Sequence, residues 1–163
     1  MVPTLIILAG LAIAVVTDVR TRRIPNALTA SMAAAGFVVA VAGLGVTPLQ
    51  ALLGLLVGLV VMMPGHLIGA TGAGDVKLLA AIGSLVGPSL AFRACLYTAV
   101  AGGAIALAVA ARRGLLAYTL HSATQLVAAP AGARQAIAAS PRASRFAYGP
   151  AIAVGTLVAL AIR

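Results

Sequence analysis

Six apolar stretches, at 2–17, 27–45, 49–68, 75–91, 93–111 and 147–162, make up most of the 163 residues, and the polar positions gather between them. Each approaches the roughly 20 residues that a helix needs to cross a bilayer. The pattern predicts an all-α, polytopic membrane protein, a bundle of about six transmembrane helices. The first stretch is slightly short, which places Asp18 within a turn of the interface. Breakers mark the connections: Ile24-Pro25-Asn26, Gly43 to Pro48, Gly69 to Gly74, and Gly87-Pro88. Pro64 lies inside the third stretch and is expected to kink that helix or end it early. Gly and Ala abound, as suits helices that must approach closely without a hydrophobic driving force.

The least apolar segment is 112–146. There Leu115, Leu116, Leu120, Leu126, Val127 and Ile137 are interleaved with Arg112, Arg113, His121, Gln125 and Arg134. One reading is an amphipathic segment of one or two helices lying in the interface, with its arginines near anionic headgroups. Over 129–145, where Pro130, Gly132 and Pro141 intervene, a flexible loop fits equally well.

Composition sharpens this picture. A mean hydropathy of +1.16 and 8% charged residues exclude an ordinary soluble domain, which carries about 25%. The length suits one membrane-embedded domain, 1–163. The formal charge of +9 does not point to nucleic acid, because the basic residues sit in the gaps between apolar runs as topology signals. Arg20, Arg22, Arg23, Lys77, Arg112, Arg113, Arg134, Arg142 and Arg145 fall on one set of alternate loops, against Arg93 and Arg163 on the other. The positive-inside rule then puts the N-terminus outside. Cys95 is the sole cysteine and reads as a small buried hydrophobe, so no disulfide framework is available. Residues 1–17 lack a basic region ahead of them and read as a retained span rather than a signal peptide.

Asp18 and Asp75 are the only acidic residues. A carboxylate near hydrocarbon is costly and is kept mainly where it does chemistry or moves ions. The charge count puts both at the cytoplasmic face, Asp18 at the end of the first span and Asp75 at the start of the fourth. Around Asp75 the chain reads Thr71-Gly72-Ala73-Gly74-Asp75-Val76-Lys77-Leu78-Leu79. Gly72 and Gly74 allow torsions closed to other residues, let another chain approach, and leave space that a side chain would crowd. Around Asp18 it reads Asp18-Val19-Arg20-Thr21-Arg22-Arg23-Ile24-Pro25-Asn26, a short basic loop in which Pro25 disfavours helix at Ile24 and Asn26 caps the helix that follows.

In these two motifs the chain resembles the type IV prepilin peptidases, membrane aspartic proteases of the Gly-x-Gly-Asp class. Asp18 through Asn26 match the family's Asp, five residues, Ile-Pro-Asn; Gly72 through Leu79 match its Gly-x-Gly-Asp and Val-Lys-Leu-like run. Tyr148-Gly149-Pro150 resembles a Phe-Gly-Pro-like element before the last span, with Tyr as the aromatic. Larger members carry an N-terminal region with a Cys-containing metal site and a methyltransferase activity. This sequence is similar instead to the short, cleavage-only branch serving Flp or tight-adherence pili.

The resemblance implies an aspartic endopeptidase with Asp18 and Asp75 as its catalytic pair, and Gly72, Gly74, Pro25 and Asn26 shaping the site. It implies no cofactor, a prepilin or pseudopilin helix and membrane lipids as partners, and a bacterial inner membrane location. Two neighbouring carboxyls share a proton, so one activates water while the other protonates the scissile carbonyl. Asp75 at a helix start and Asp18 at a helix end favour Asp75 as base and Asp18 as acid. Lys77 is either an interfacial anchor or a neighbour of the substrate or of the pair. His66 suits a capping or interfacial role, and His121 a solvated face; two distant histidines give no support to a metal site. The main rival is a small proton- or ion-coupled transporter using both acids as relays, which predicts carboxylates near mid-membrane and an inverted repeat. A scaffold of a secretion complex would not need the glycine-bounded aspartate, and a signal-peptide protease would not need Ile-Pro-Asn.

Overall fold

The computed structural model describes residues 1–67, 71–112, 114 and 148–162, and among them it is all-helical, with no strand. The helices are α1 (Val2–Thr21), α2 (Asn26–Val41), α3 (Pro48–Leu67), α4 (Ala73–Val86), α5 (Pro88–Arg112) and α6 (Gly149–Ala161). Apart from Arg112 and Gly114, the amphipathic segment expected over 112–146, with His121, lies outside the described residues.

The helices fall into two lengths. At 20, 20 and 25 residues, α1, α3 and α5 are long and apolar enough to cross a membrane. At 16, 14 and 13 residues, α2, α4 and α6 are shorter. At 1.5 Å per residue α4 is about 21 Å long, well short of a hydrocarbon core of about 30 Å.

Boundaries shift where backbone chemistry outweighs hydropathy. Helix α1 runs four residues past the expected span, to Thr21, and ends on Arg22 in the left-handed region at φ 52°. Thr17 and Thr21 continue it through the polar stretch by bonding back to the carbonyls of Ile13 and Thr17, each at 2.8 Å. The fourth and fifth stretches divide at Gly87, with φ 82°, and not between 91 and 93. The apolar run through that point is unbroken, so only the Gly-Pro pair signals the turn, and Pro88 then opens α5 where no N–H is needed. Helix α2 stops at Val41 rather than 45, ahead of Gly43 at φ 69°. Pro64 does not end α3, which continues to Leu67.

Helix α4 is the hub. It touches all five other helices, and these close a ring around it in the order α1, α2, α3, α5, α6 and back to α1. From Asp75 to Leu85 every residue of α4 except Lys77 is buried. Small residues make such enclosure possible. A Cβ on Gly54 of α3 would collide with the Gly83 carbonyl of α4, and one on Gly58 would stand 2.6 Å from the Leu79 carbonyl oxygen. Gly36 of α2 meets Ser84 in the same way, and Gly155 of α6 meets Thr98 of α5. The outside of the ring is apolar, with Leu5, Ile13 and Val16 of α1, Leu56 and Val60 of α3, and Leu96 and Val100 of α5 all exposed. That surface belongs to a membrane protein solvated by lipid.

Candidate active site

Antiparallel succession around the ring brings the C-terminal end of α1 and the N-terminal ends of α4 and α6 to one end of the bundle. Asp18 lies in the last turn of α1 and Asp75 in the first turn of α4. Both are buried, at 6% and 7% exposure, on helices that are in contact.

Each acid is held by a backbone N–H at the start of a helix. Gly72 is the N-cap of α4, and its N–H donates to Asp75 Oδ2 at 2.9 Å. The Asp75 and Val76 N–H groups donate in return to the Gly72 carbonyl, at 3.1 and 3.3 Å. For Asp18 the donor comes from the far end of the chain: the N–H of Gly149, first residue of α6, reaches Asp18 Oδ2 at 2.7 Å. Helix N-termini favour anions. The helix-end contrast that favoured Asp75 over Asp18 as base is therefore offset, because Asp18 faces the N-terminus of α6 as well as lying near the C-terminus of its own helix.

The glycines serve by size rather than by torsion. Gly72 has φ −75° and ψ 151°, extended backbone open to any residue, and Gly74 is helical. A Cβ on Gly72 would lie 3.1 Å from Asp75 Oδ2, one on Gly74 3.1 Å from the Ile24 Cβ, and one on Gly149 2.9 Å from Asp18 Oδ2. The torsional freedom that the sequence offers at Gly72 and Gly74 is not used, whereas the space they leave is.

The Ile24-Pro25-Asn26 turn runs against the start of α4. Ile24 is buried against Gly74. Pro25, in extended conformation, takes the N-cap position that the sequence suggested for Asn26. Asn26 makes no capping bond; its Oδ1 instead accepts from Lys77 Nζ at 2.9 Å. His66 Nδ1 lies 3.2 Å from the Thr71 carbonyl oxygen, linking the end of α3 to the residue ahead of Gly72. Tyr148 packs over Gly102, and its hydroxyl donates to the Thr98 carbonyl at 3.5 Å. The sequence marked Tyr148-Gly149-Pro150 as a motif but did not place Gly149 in the site, since a backbone donor has no side-chain signature.

Among the described residues no three His, Cys, Asp or Glu side chains gather as a metal would require. A cavity of about 470 Å³ between Pro3, Gly45, Gln50 and Leu160 lies at the opposite end of the bundle. The chemistry available at the acids' end is that of a carboxyl pair, in which one partner accepts a proton and the other donates one.

No curated protein and no solved structure matches the chain. A family model does, that of the type IV leader peptidase family, over residues 5–107. The match covers more than half of the chain and takes in both acids, the Ile24-Pro25-Asn26 turn and the glycines at 72 and 74. On that match, the chain belongs to the type IV leader peptidase family.

Proposed function

We propose that the protein is an aspartic endopeptidase that removes the leader peptide of type IV prepilins of the Flp-like kind, with Asp18 and Asp75 as its catalytic pair. The observation that carries this reading is the burial of the sequence's only two acids at one end of the bundle, each held by a backbone N–H. The ionised member of the pair takes a proton from water, and the resulting nucleophile attacks the scissile carbonyl. The protonated member gives its proton to the carbonyl oxygen, and proton transfer to the departing amine then lets the C–N bond break. No cofactor enters this scheme.

The positive-inside bias supports a multi-pass protein of the bacterial inner membrane, with its N-terminus outside and the acids at the cytoplasmic face. There a basic leader ahead of an apolar pilin or pseudopilin helix would present its cleavage point as the helix lies beside the bundle.

The test is processing of a co-expressed prepilin, followed as a mobility shift. Asp18→Asn and Asp75→Asn should each abolish it while the protein still inserts. Cleavage by either variant would sink the carboxyl-pair reading.

A further inference from the structure

Asp18 and Asp75 are carried by helices 57 positions apart in the sequence, and something must fix the end of α1 against the start of α4 on the scale of a hydrogen bond. A continuous set of contacts does so. The Arg22 N–H returns to the Asp18 carbonyl at 2.8 Å and closes α1. Two residues later Ile24 lies against Gly74, immediately before Asp75. Two residues after that, Asn26 receives the Lys77 ammonium, immediately beyond Val76. Gly74 and Lys77 are three apart on α4 and so share one face. The turn after the first acid thus grips the first helical turn of the second.

We infer that Ile24-Pro25-Asn26 and Lys77 form a clasp that sets the relation of the two carboxyls, which makes Lys77 a positioning residue. The inference rests on the reading of Asp18 and Asp75 as the reacting pair, and it assigns Lys77 neither to insertion alone nor to the pair itself. A lysine serving only as a topology signal needs no fixed partner. Here the Nζ sits 2.9 Å from a neutral amide oxygen that comes from 51 residues away. The bond is charge-assisted, yet both residues are exposed, so losing it costs the fold little. Its effect should fall on alignment, where displacements of an ångström cost about 100-fold in rate. Pro25 supports the same geometry, because its extended conformation presents Asn26 at the first position of α2 and its carbonyl accepts the Leu28 and Thr29 N–H groups.

The test joins kinetics to a measurement that does not need cleavage. Lys77→Met and Asn26→Ala should each slow processing of a prepilin about tenfold through kcat, with KM and the thermal midpoint unchanged. The double variant should be no slower than the slower single, because both remove one interaction. Asn26→Asp, which still accepts from Lys77, should process at least five times faster than Asn26→Ala. Spin labels on Val19→Cys and Ala73→Cys, exposed positions beside the two acids, should give a narrow distance distribution that broadens in Lys77→Met and stays narrow in Asn26→Asp. Wild-type rates in the single variants, losses that multiply in the double, a rise in KM alone, or an unchanged distribution in Lys77→Met would each overturn the clasp. Should the distances respond while no prepilin is ever cleaved, the proposed function fails and the clasp stands.

Discussion

Gly149 donates its backbone N–H to Asp18 Oδ2 at 2.7 Å across 131 residues of sequence. No room is left for a side chain, since a Cβ there would stand 2.9 Å from that oxygen and 3.0 Å from the Asp18 Cβ. Gly149→Ala should therefore push the carboxyl aside and lower prepilin processing by about 100-fold, with normal insertion. Processing at the wild-type rate would show that α6 does not position Asp18.

Gly72→Ala should be milder. Its backbone is already in a region that alanine adopts, and the added Cβ meets only the end of the Asp75 side chain, at 3.1 Å. Measured side by side, the rate loss should be smaller than for Gly149→Ala; the reverse order would mean that the α4 cap is the less tolerant of the two.

The two acids and the motifs around them were legible in the sequence because charge is rare in this chain and the Ile-Pro-Asn and Gly-x-Gly-Asp patterns are local. Six helices were legible from hydropathy. The relations between segments were not. Asn26 looked like a cap because Asn caps helices in general, but Pro25 took that position and freed the amide for Lys77. Gly87-Pro88 was marked as a breaker, but the continuous apolar run around it drew the boundary to 91–93. Gly149 was marked as part of a motif, while its bond to Asp18, made by the backbone, had no side-chain signature.

Packing around α4 makes a stability prediction with its own control. Gly54→Ala places a methyl group against the Gly83 carbonyl, a backbone atom that cannot step aside, and should cost about 1–3 kcal/mol. Gly103, also helical, has open space where a methyl group would go, with nothing within 4 Å, and Gly103→Ala should gain about 0.5–1 kcal/mol through helix propensity. Unfolding midpoints in detergent should move in opposite directions, and a common direction would contradict the α3–α4 contact.

Cys95 is 2% exposed within α5. A water-soluble maleimide should leave it unmodified in the folded protein and label it fully once detergent denaturation opens the bundle. Prompt labelling of the folded protein would contradict the packing of α5 against its neighbours.

The placement of α4 bears on the order in which the site is assembled. A helix of 14 residues is too short to hold both polar ends in water across an average bilayer, and it carries a buried acid that hydrocarbon alone would not welcome. Among the described residues its environment is made by five neighbours, of which α6 is also the one that grips Asp18. Until α6 packs, Asp18 lacks its backbone donor. On the reading of Asp18 and Asp75 as the reacting pair, the site is complete only once α6 has packed, because Gly149 supplies the donor to Asp18.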